Sequence, residues 1–407
     1  MACSKEDATV RETNTRVLYA ATLLNFTSQV ILMQATPMVV SRSMKGDAVA
    51  TVAVLGRLSS LAALVEFVLN PVFANLSDAY GRKVFLLLAP AATIVMRGAV
   101  ARFPGVTTVG AGRVVTGALV PAFFTASSAA LGDMYASGSP QDVIAVQGNL
   151  QMLMGGSFII SGLLAGKLAA RNIRLPFLVS VALGAMSLGV VLKGFRETLG
   201  PEDRRRASLR GANPLGFLRL FQGSPALART SLVQGLSQFP VVLQDVDAAF
   251  GAKHRGWGPE ENGRFVAGAG VVSTLAGRCT GQIVTGLGGQ SHAVLAHISA
   301  GLSFFLSVLA TSSERAWLAV LVGALGQTRG AAVSVLGSRL GQAEQMGRGE
   351  HAGAVANMNA VVKTVAPLVY GRLFALADGL PYSVSGVIML CCAALAASVN
   401  KRHWSGA

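Results

Sequence analysis

The sequence predicts an all-α membrane protein with twelve transmembrane helices, arranged as two six-helix bundles related by an internal repeat. Three observations lead to this fold class: an apolar composition, a series of helix-length apolar runs, and residues that recur between the two halves of the chain. Of the 407 residues, 52% are hydrophobic and 13% are charged. Soluble proteins carry about 25% charged residues, so we expect most of this surface to face the lipid bilayer.

The charge and the cysteines exclude other classes of protein. The net charge is +15, which in a soluble protein would raise the possibility of nucleic-acid binding. Here the aromatic residues lie within apolar runs and do not alternate with Lys/Arg clusters, so we expect no nucleic-acid partner. The four cysteines show neither metal-ligand spacing nor a disulfide pattern. We therefore expect no metal and no cofactor.

Apolar runs of helix length recur along the chain. The hydrocarbon core of a bilayer is about 30 Å thick, so a spanning helix needs about 20 mainly apolar residues. Charged or Gly/Pro-rich links divide the sequence into twelve such runs. They begin near Val17, Ala48, Val84, Val106, Val146, Phe177, Leu227, Phe265, Ala293, Ala316, Ala354 and Tyr382.

One polar segment separates the first six runs from the second six. Residues 200–213, GPEDRRRASLRGAN, contain four arginines and are too polar for the bilayer. We predict an N-terminal six-helix bundle at 1–199, a linker at 200–213 and a C-terminal six-helix bundle at 214–407. Positively charged segments remain in the cytoplasm and the number of spans is even, so the linker and both termini are predicted to be cytoplasmic.

The two halves also share residues at a fixed offset. Gly166 and Pro176 match Gly371 and Pro381, each 205 residues later, within a longer run of similar residues. Matches of Gly, Pro and basic residues support a parallel repeat of six plus six helices. Transporters built from such repeats hold their substrate near the bilayer midplane, between the halves.

The link after the second run reads ANLSDAYGRKV and contains an acid, a glycine and two cations. Asp78, Gly81, Arg82 and Lys83 resemble the signature loop of the major facilitator superfamily, although Ala74 replaces its usual first glycine. The resemblance implies that this link, the gating loop below, latches the outward-facing state. A general positive-inside turn is the alternative, and it would need the cations but not the acid. The corresponding link of the second half, GQIVTGLGGQ at 281–290, the neutral loop below, has neither acid nor cations.

Further motifs resemble the twelve-span drug/proton antiporter group, which includes the tetracycline exporters. They are GRVVTG with Arg113, ALGDMY, GFRETLG, GWGPEENGRF and a partial glycine motif around Gly162. The resemblance implies a monomeric secondary transporter that moves a small organic solute by alternating access, coupled to protons and favouring efflux. An importer or uniporter of the same superfamily, or a non-transporting receptor or scaffold on the same fold, is the alternative. We expect no enzyme activity, because the five histidines form no catalytic constellation.

Charged residues within the spans are candidates for a proton or charge pathway, since a charge at the bilayer centre costs about 2.5–3.5 kcal/mol. From the rise of a helix, Glu66 lies near mid-depth and Lys363 about 15 Å into its helix. Arg329 lies about 20 Å from the outer side, and Arg113 in the outer half of its helix. Glu66 is either a proton carrier or a structural acid. Lys363 and Arg329 would bind an anionic substrate group, balance Glu66, or form fixed ion pairs.

Polar residues follow one helical face in the first span of each half. Spacings of four residues put the outer members of each patch on one face. The superfamily fold implies that these helices line the central cavity, so the patches are predicted to contact the substrate. Hydrogen bonding between helices is the alternative. The residues are Asn25, Ser28 and Gln29 in the first half and Gln234, Ser237 and Gln238 in the second.

Overall fold

The computed structural model describes residues 5–135, 140–200, 202, 204 and 213–404. In this part of the chain all regular structure is helical, as the sequence predicted. Most of the predicted linker at 200–213 lies outside the described residues. The α-helices are α1 (Lys5–Ser43), α2 (Ala48–Tyr80), α3 (Arg82–Arg102), α4 (Val106–Met134), α5 (Pro140–Arg171), α6 (Leu175–Gly194), α7 (Pro225–Leu236), α8 (Gln244–Arg255), α9 (Pro259–Leu287), α10 (Gly289–Val308), α11 (Ser313–Val322), α12 (Gly330–Ala343), α13 (Arg348–Leu376), α14 (Leu380–Ser398) and α15 (Lys401–Trp404).

The number of helices that can span a membrane is smaller than the predicted twelve. Among the described residues, nine helices are long and apolar enough, or ten if the bent pair α11 and α12 forms one span. The count of twelve is therefore not confirmed. One reason is that the predicted seventh span is divided into α7 and α8, which have only 12 residues each.

Two predicted spans are interrupted by short 3-10 segments. The first break, Phe239–Leu243, separates α7 from α8 and contains Pro240. Proline has no backbone N–H, so Pro240 cannot donate one of the hydrogen bonds of a regular helix. The second break, Leu325–Thr328, separates α11 from α12, which are bent by 47°.

The chain divides into two compact units, which differ from a simple cut in the sequence. Unit 1 comprises Met1–Ser43, Val65–Asn213 and Pro259–Ala267. Unit 2 comprises the remaining segments, Met44–Leu64, Pro214–Gly258 and Gly268–Ala407. Thus the first half of α2 belongs by its contacts to unit 2, and the first turns of α9 belong to unit 1. The predicted division into bundles at 1–199 and 214–407 stays a prediction.

The core of unit 1 forms where α1 packs against α5 and α6, and α3 against α4 and α6. Its centre contains fully buried Leu18, Phe123 and Phe195. Large apolar side chains also remain on the protein surface, such as Val95, which is 67% exposed. Such residues suit a lipid-facing surface, where exposed apolar groups carry no hydration penalty.

The core of unit 2 is built around α10, which packs against α14, α11 and the second break. Leu336 and Met389 are fully buried at its centre. A second cluster holds the first half of α2, because Val52 packs with Tyr370 and Phe374. The arrangement leaves α10 in contact with the interrupted span that ends in α12.

Candidate functional site

Within the gating loop, a single residue, Gly81, separates α2 from α3. Gly81 has φ 99°, a conformation that side chains disfavour, and its N–H donates to the Ser77 carbonyl at 3.1 Å. A Cβ at Gly81 would collide with the carboxylate of Glu197. The backbone conformation therefore requires glycine here, and a side chain would in addition displace the Glu197 carboxylate.

Glu197 caps the start of α3. Its carboxylate accepts the backbone N–H groups of Arg82 at 2.9 Å and Lys83 at 3.0 Å. Free N–H groups and the helix dipole make this end of a helix favourable for a negative charge. Burial raises the pKa of Glu197, but the N–H groups of Arg82, Lys83, Leu199 and Thr198 outweigh it, and the pKa lies below its ordinary value.

Arg82 connects three elements of unit 1. Its guanidinium pairs with Asp78 at the end of α2 and with Asp133 in α4, the latter at 3.1 Å between Nε and Oδ2. It also donates to the Ser77 hydroxyl at 3.1 Å. The Arg82 side chain is 8% exposed, whereas Asp78 is 40% exposed. The buried cation is thus fixed, while one of its acids remains accessible.

Lys83 performs the complementary task at the end of α6. Its Nζ donates to the carbonyl oxygens of Phe195 at 2.7 Å and Leu192 at 3.1 Å. A cation is favourable there because the last carbonyls of a helix are unpaired and carry the negative end of the dipole. The structure thus brings all four predicted gating-loop residues into one cluster.

In the polar patch of α1, two residues form hydrogen bonds with another helix of unit 1. Asn25 Nδ2 donates to Ser187 Oγ at 2.9 Å, and the hydroxyls of Ser28 and Ser180 lie 2.6 Å apart. Asn25 and Ser28 are almost fully buried. These are hydrogen bonds between helices, the alternative that the sequence left open. Substrate contact by Asn25 and Ser28 stays a prediction.

Gln29 is more accessible than its two neighbours. It is half-buried, and its Oε1 accepts Arg97 Nη2 at 2.5 Å. Arg97 in turn faces the like charge of Arg113 in α4. Gln29 therefore bonds to one of two neighbouring cations, Arg97 and Arg113.

The polar patch of the second half, at the end of α7 and just beyond it, has one buried residue and two more accessible ones. Ser237 is buried, and its Oγ lies 2.9 Å from His297 Nε2. Gln234 and Gln238 are half-buried. Gln234 reaches the Val333 carbonyl of α12 through a long contact of 3.5 Å.

The four predicted intramembrane charges lie on four different helices or helix ends. Glu66 in α2, Arg113 in α4 and Lys363 in α13 are all half-buried, and each makes interactions of its own. Arg329 follows the second break and donates to the carbonyls of Gly326 at 2.9 Å and Ser237 at 3.2 Å. Their predicted roles in a proton or charge pathway stay predictions.

Two close helix contacts follow the sequence repeat. In unit 1, a Cβ at Gly162 of α5 would lie 2.7 Å from the backbone nitrogen of Ala267 in α9. In unit 2, a Cβ at Gly56 of α2 would lie 2.8 Å from the carbonyl oxygen of Pro367 in α13. Gly162 and Pro367 are 205 residues apart, the offset of the repeat. Each contact needs a glycine because the two backbones meet directly.

The comparison with protein families decides the class. The model described as Major Facilitator Superfamily matches residues 18–371. The chain belongs to the major facilitator superfamily. This superfamily member is accordingly an integral, multi-pass membrane transporter for a small-molecule solute and not an enzyme, which confirms the resemblance read from the gating loop.

Curated and solved relatives agree with that assignment. The tetracycline resistance protein, class C, of Escherichia coli is 25% identical over 364 residues, covering 86% of this chain and 88% of that protein. The human organic anion transporter MFSD10 (TETRAN) is similar with a TM-score of 0.73 and 16% identity, over 95% of this chain and 99% of that one. A POT family transporter solved with 5-aminolevulinic acid has a TM-score of 0.74 and 13% identity, over 96% of each chain. These structures share the fold of this superfamily member.

Sequence reasoning missed two parts of the site in this superfamily member. Glu197 was noticed only within the GFRETLG motif, although the predicted topology puts the end of the sixth span on the same side as the gating loop. The cluster of Ser237, His297 and Arg329 was missed because the histidines were tested only as catalytic groups. Their burial depends on packing between α10 and two interrupted spans, which spacing along one helix does not reveal.

Proposed function

We propose that this protein is a proton-coupled exporter that exchanges a small organic solute for protons by alternating access. The similarity to a tetracycline resistance protein over 86% of the chain supports efflux. The position of Glu66 within α2 supports proton coupling, because an acid at membrane depth can load and release a proton as its surroundings change. Both termini and the linker are proposed to be cytoplasmic, and the unit of transport to be a monomer.

The observation that carries the mechanism is the charged cluster of the gating loop. Asp78 is bound to a fixed, buried Arg82, yet it is 40% exposed and can exchange partners. A charge that can make and lose a contact gives two conformations different energies. We assign Asp78, Gly81, Arg82 and Lys83 to gating, and Glu66 to proton loading.

Substrate contact is proposed for the more accessible residues of the two polar patches. Gln29, Gln234 and Gln238 are half-buried and have amide groups that can both donate and accept hydrogen bonds. Asn25, Ser28 and Ser237 support them from buried positions. Arg113 and Lys363 would complement negative charge on the solute or on Glu66.

The test is solute transport in proteoliposomes, with a panel of small organic solutes that includes tetracycline, with and without an imposed pH gradient. The wild type should move at least one solute faster in exchange for protons. Glu66→Gln should lose gradient-driven accumulation but keep solute counterflow, since it mimics the protonated acid.

The matched control is Glu12→Gln, which removes the same charge from an exposed surface pair with Arg16. It should transport as the wild type does. Accumulation against a gradient by Glu66→Gln under a pH difference would show that Glu66 is not the proton carrier. Absence of any pH effect on the wild type would refute proton coupling.

A further inference from the structure

A buried polar cluster in unit 2 joins the two interrupted spans. At the first break, the N–H of Val241 bonds to Gln238, so the Ser237 carbonyl loses its usual helical partner. Arg329, which follows the second break, donates to that carbonyl from Nη2 at 3.2 Å. Its Nη1 donates to Gly326 within the second break at 2.9 Å. One guanidinium therefore ties both breaks together.

Helix α10 supplies a second tie to each break. His297 Nε2 lies 2.9 Å from Ser237 Oγ, and His292 Nε2 lies 3.0 Å from Thr328 Oγ1. Both imidazoles are fully buried. In a membrane, side chains must satisfy polar groups that a broken helix releases. The histidines fit this need, but they are also able to bind protons.

The hydrogen bonds around His297 leave room for one more proton. Its Nδ1 is 2.7 Å from the Ala293 carbonyl and must carry a hydrogen, because a carbonyl only accepts. Ser237 Oγ also lies 2.7 Å from the Val233 carbonyl. With a neutral imidazole, the single Ser237 hydrogen cannot serve both Val233 and His297 Nε2. With a hydrogen on Nε2 as well, all three contacts are donor-to-acceptor pairs.

His292 fails the same test. Thr328 Oγ1 donates to the Leu325 carbonyl at 2.8 Å, so His292 Nε2 must be the donor in their contact. Among the described residues, His292 Nδ1 has no hydrogen-bond partner. A hydrogen on that atom would find no acceptor there. The two histidines thus differ in their ability to hold a second proton, although they lie five residues apart on one helix.

Charge opposes what the hydrogen bonds favour. The titratable groups facing His297 are Arg329, His292 and, beside Ser237, Cys392 of α14. None of these supplies a negative charge at neutral pH. Within the described residues Arg329 makes no ion pair with a carboxylate, and its Nε has no partner. A second positive charge beside it is unfavourable because like charges repel strongly at low dielectric.

We propose that His297 is a second proton-binding group of this transporter, and that its imidazole binds the second proton when Arg329 separates from the Ser237 carbonyl. The separation of Arg329 removes the repulsion and frees the two breaks from each other. Proton binding and a change of bend in the interrupted spans are then linked, because each favours the other. The proposal deepens the proton coupling proposed above and rests on it only for its role in transport.

The test uses the buried thiol of Cys392, whose Sγ lies 3.9 Å from Ser237 Oγ. In a background with Cys3→Ser, Cys279→Ser and Cys391→Ser, a membrane-permeant maleimide labels Cys392 when the cluster opens. Labelling is measured from about pH 8 to about pH 5.5, across the ordinary imidazole range, without solute. Each rate is divided by that of the denatured protein, to remove the effect of pH on the thiol.

The wild type should label at least about threefold faster at the low pH, since protonation favours the open cluster. His297→Gln should lose this dependence, and the matched control His292→Gln should keep it. Equal pH dependence in the wild type and His297→Gln would overturn the proposal. If His297→Gln does not fold, Ser237→Ala, which removes the acceptor for Nε2, should weaken the dependence, and an unchanged dependence would overturn the proposal.

A second measurement addresses the control by Arg329. Carbon-13 signals of labelled histidines, assigned with His297→Gln, report the protonation of each imidazole in nanodiscs. Arg329→Gln should let His297 become protonated at a pH at least about one unit higher than in the wild type, a tenfold effect. An unchanged His297 titration would refute the role of Arg329. Neither measurement needs transport. A negative result for this site can therefore be distinguished from a negative result for the proposed export.

Discussion

The gating loop and the neutral loop make the same turn with different chemistry. Each is a single positive-φ glycine between two helices: Gly81 at 99° and Gly288 at 80°. Each glycine N–H donates to a carbonyl four residues earlier. The residue two positions later then caps a neighbouring helix end in both loops, Lys83 at α6 and Gln290 at α14.

The difference lies in the charges. Gln290 Nε2 donates to the carbonyls of Ala396, Ala397 and Val399 at 2.8–3.2 Å, the task that an ammonium performs in the gating loop. Gly289 and Thr285 stand where the gating loop has Arg82 and Asp78. The neutral loop therefore builds the turn and the cap without an acid or a cation. The neutral loop shows that such a turn and cap can form without the gating-loop charges. The latch and the general positive-inside turn both stay open, and Asp78 distinguishes them because only the latch needs the acid.

The largest difference is expected from Asp78→Asn. Transport should fall at least about tenfold, because a conformational step loses its charge contact, and tenfold corresponds to about 1.4 kcal/mol. The free energy of unfolding should fall by less than about 1 kcal/mol, since Asp78 is 40% exposed. The counterpart in the neutral loop, Thr285→Ala, should leave transport unchanged. Normal vesicle transport by Asp78→Asn would contradict the latch.

Alanine at the two turn glycines should separate strain from collision. Both substitutions strain a positive-φ, extended-ψ backbone that is almost restricted to glycine, by about 1–3 kcal/mol. A Cβ at Gly288 meets open space, whereas one at Gly81 meets Glu197. Thermal unfolding should therefore show a larger loss for Gly81→Ala, by about 1 kcal/mol or more. Equal losses would show that Glu197 moves away freely and does not fix the turn.

Glu197→Gln should destabilise the protein by about 1 kcal/mol at neutral pH, because the α3 cap loses its charge. The N–H groups lower the pKa of Glu197 in the folded state. They therefore stabilise the folded state at a pH above the pKa of Glu in the unfolded chain, about 4.3. That contribution is lost as the pH falls through the lower, folded value. The difference in unfolding free energy between the wild type and Glu197→Gln should shrink below about pH 4.3. A difference independent of pH would mean that the cap does not depend on ionised Glu197.

The smallest effect is expected from Lys83→Gln. Gln290 shows that an amide can cap the equivalent helix end, so the free energy of unfolding should change by less than about 0.5 kcal/mol. Thermal unfolding and vesicle transport of this variant can be compared with those of Lys83→Met, which removes the donor. A loss from Lys83→Gln as large as that from Lys83→Met would show that the charge itself is required.

The sequence was sufficient for the fold class and for the gating loop, because both depend on local patterns. Apolar length predicts spans, and the spacing of the acid, the glycine and the cations located the turn at Gly81, beside which Asp78 and Arg82 form an ion pair. Their role in gating stays a prediction. It was insufficient where partners come from distant helices. Glu197 follows Arg82 by 115 residues, and no periodicity links them. The interruption at Pro240 was not predicted, since the first break, FPVVL, is itself apolar and looks like part of a spanning helix.

We propose that the gating-loop charges act on the conformational change and not on the turn. The most direct test measures distances between spin labels introduced by Tyr80→Cys and Leu287→Cys, two exposed positions beside the two turn glycines, with the native cysteines replaced. Pulsed EPR in nanodiscs, with and without transported solute, reports the populations of conformations. We predict that Asp78→Asn shifts these populations relative to the wild type, whereas Thr285→Ala does not. Identical distance distributions for the wild type and Asp78→Asn would contradict the claim.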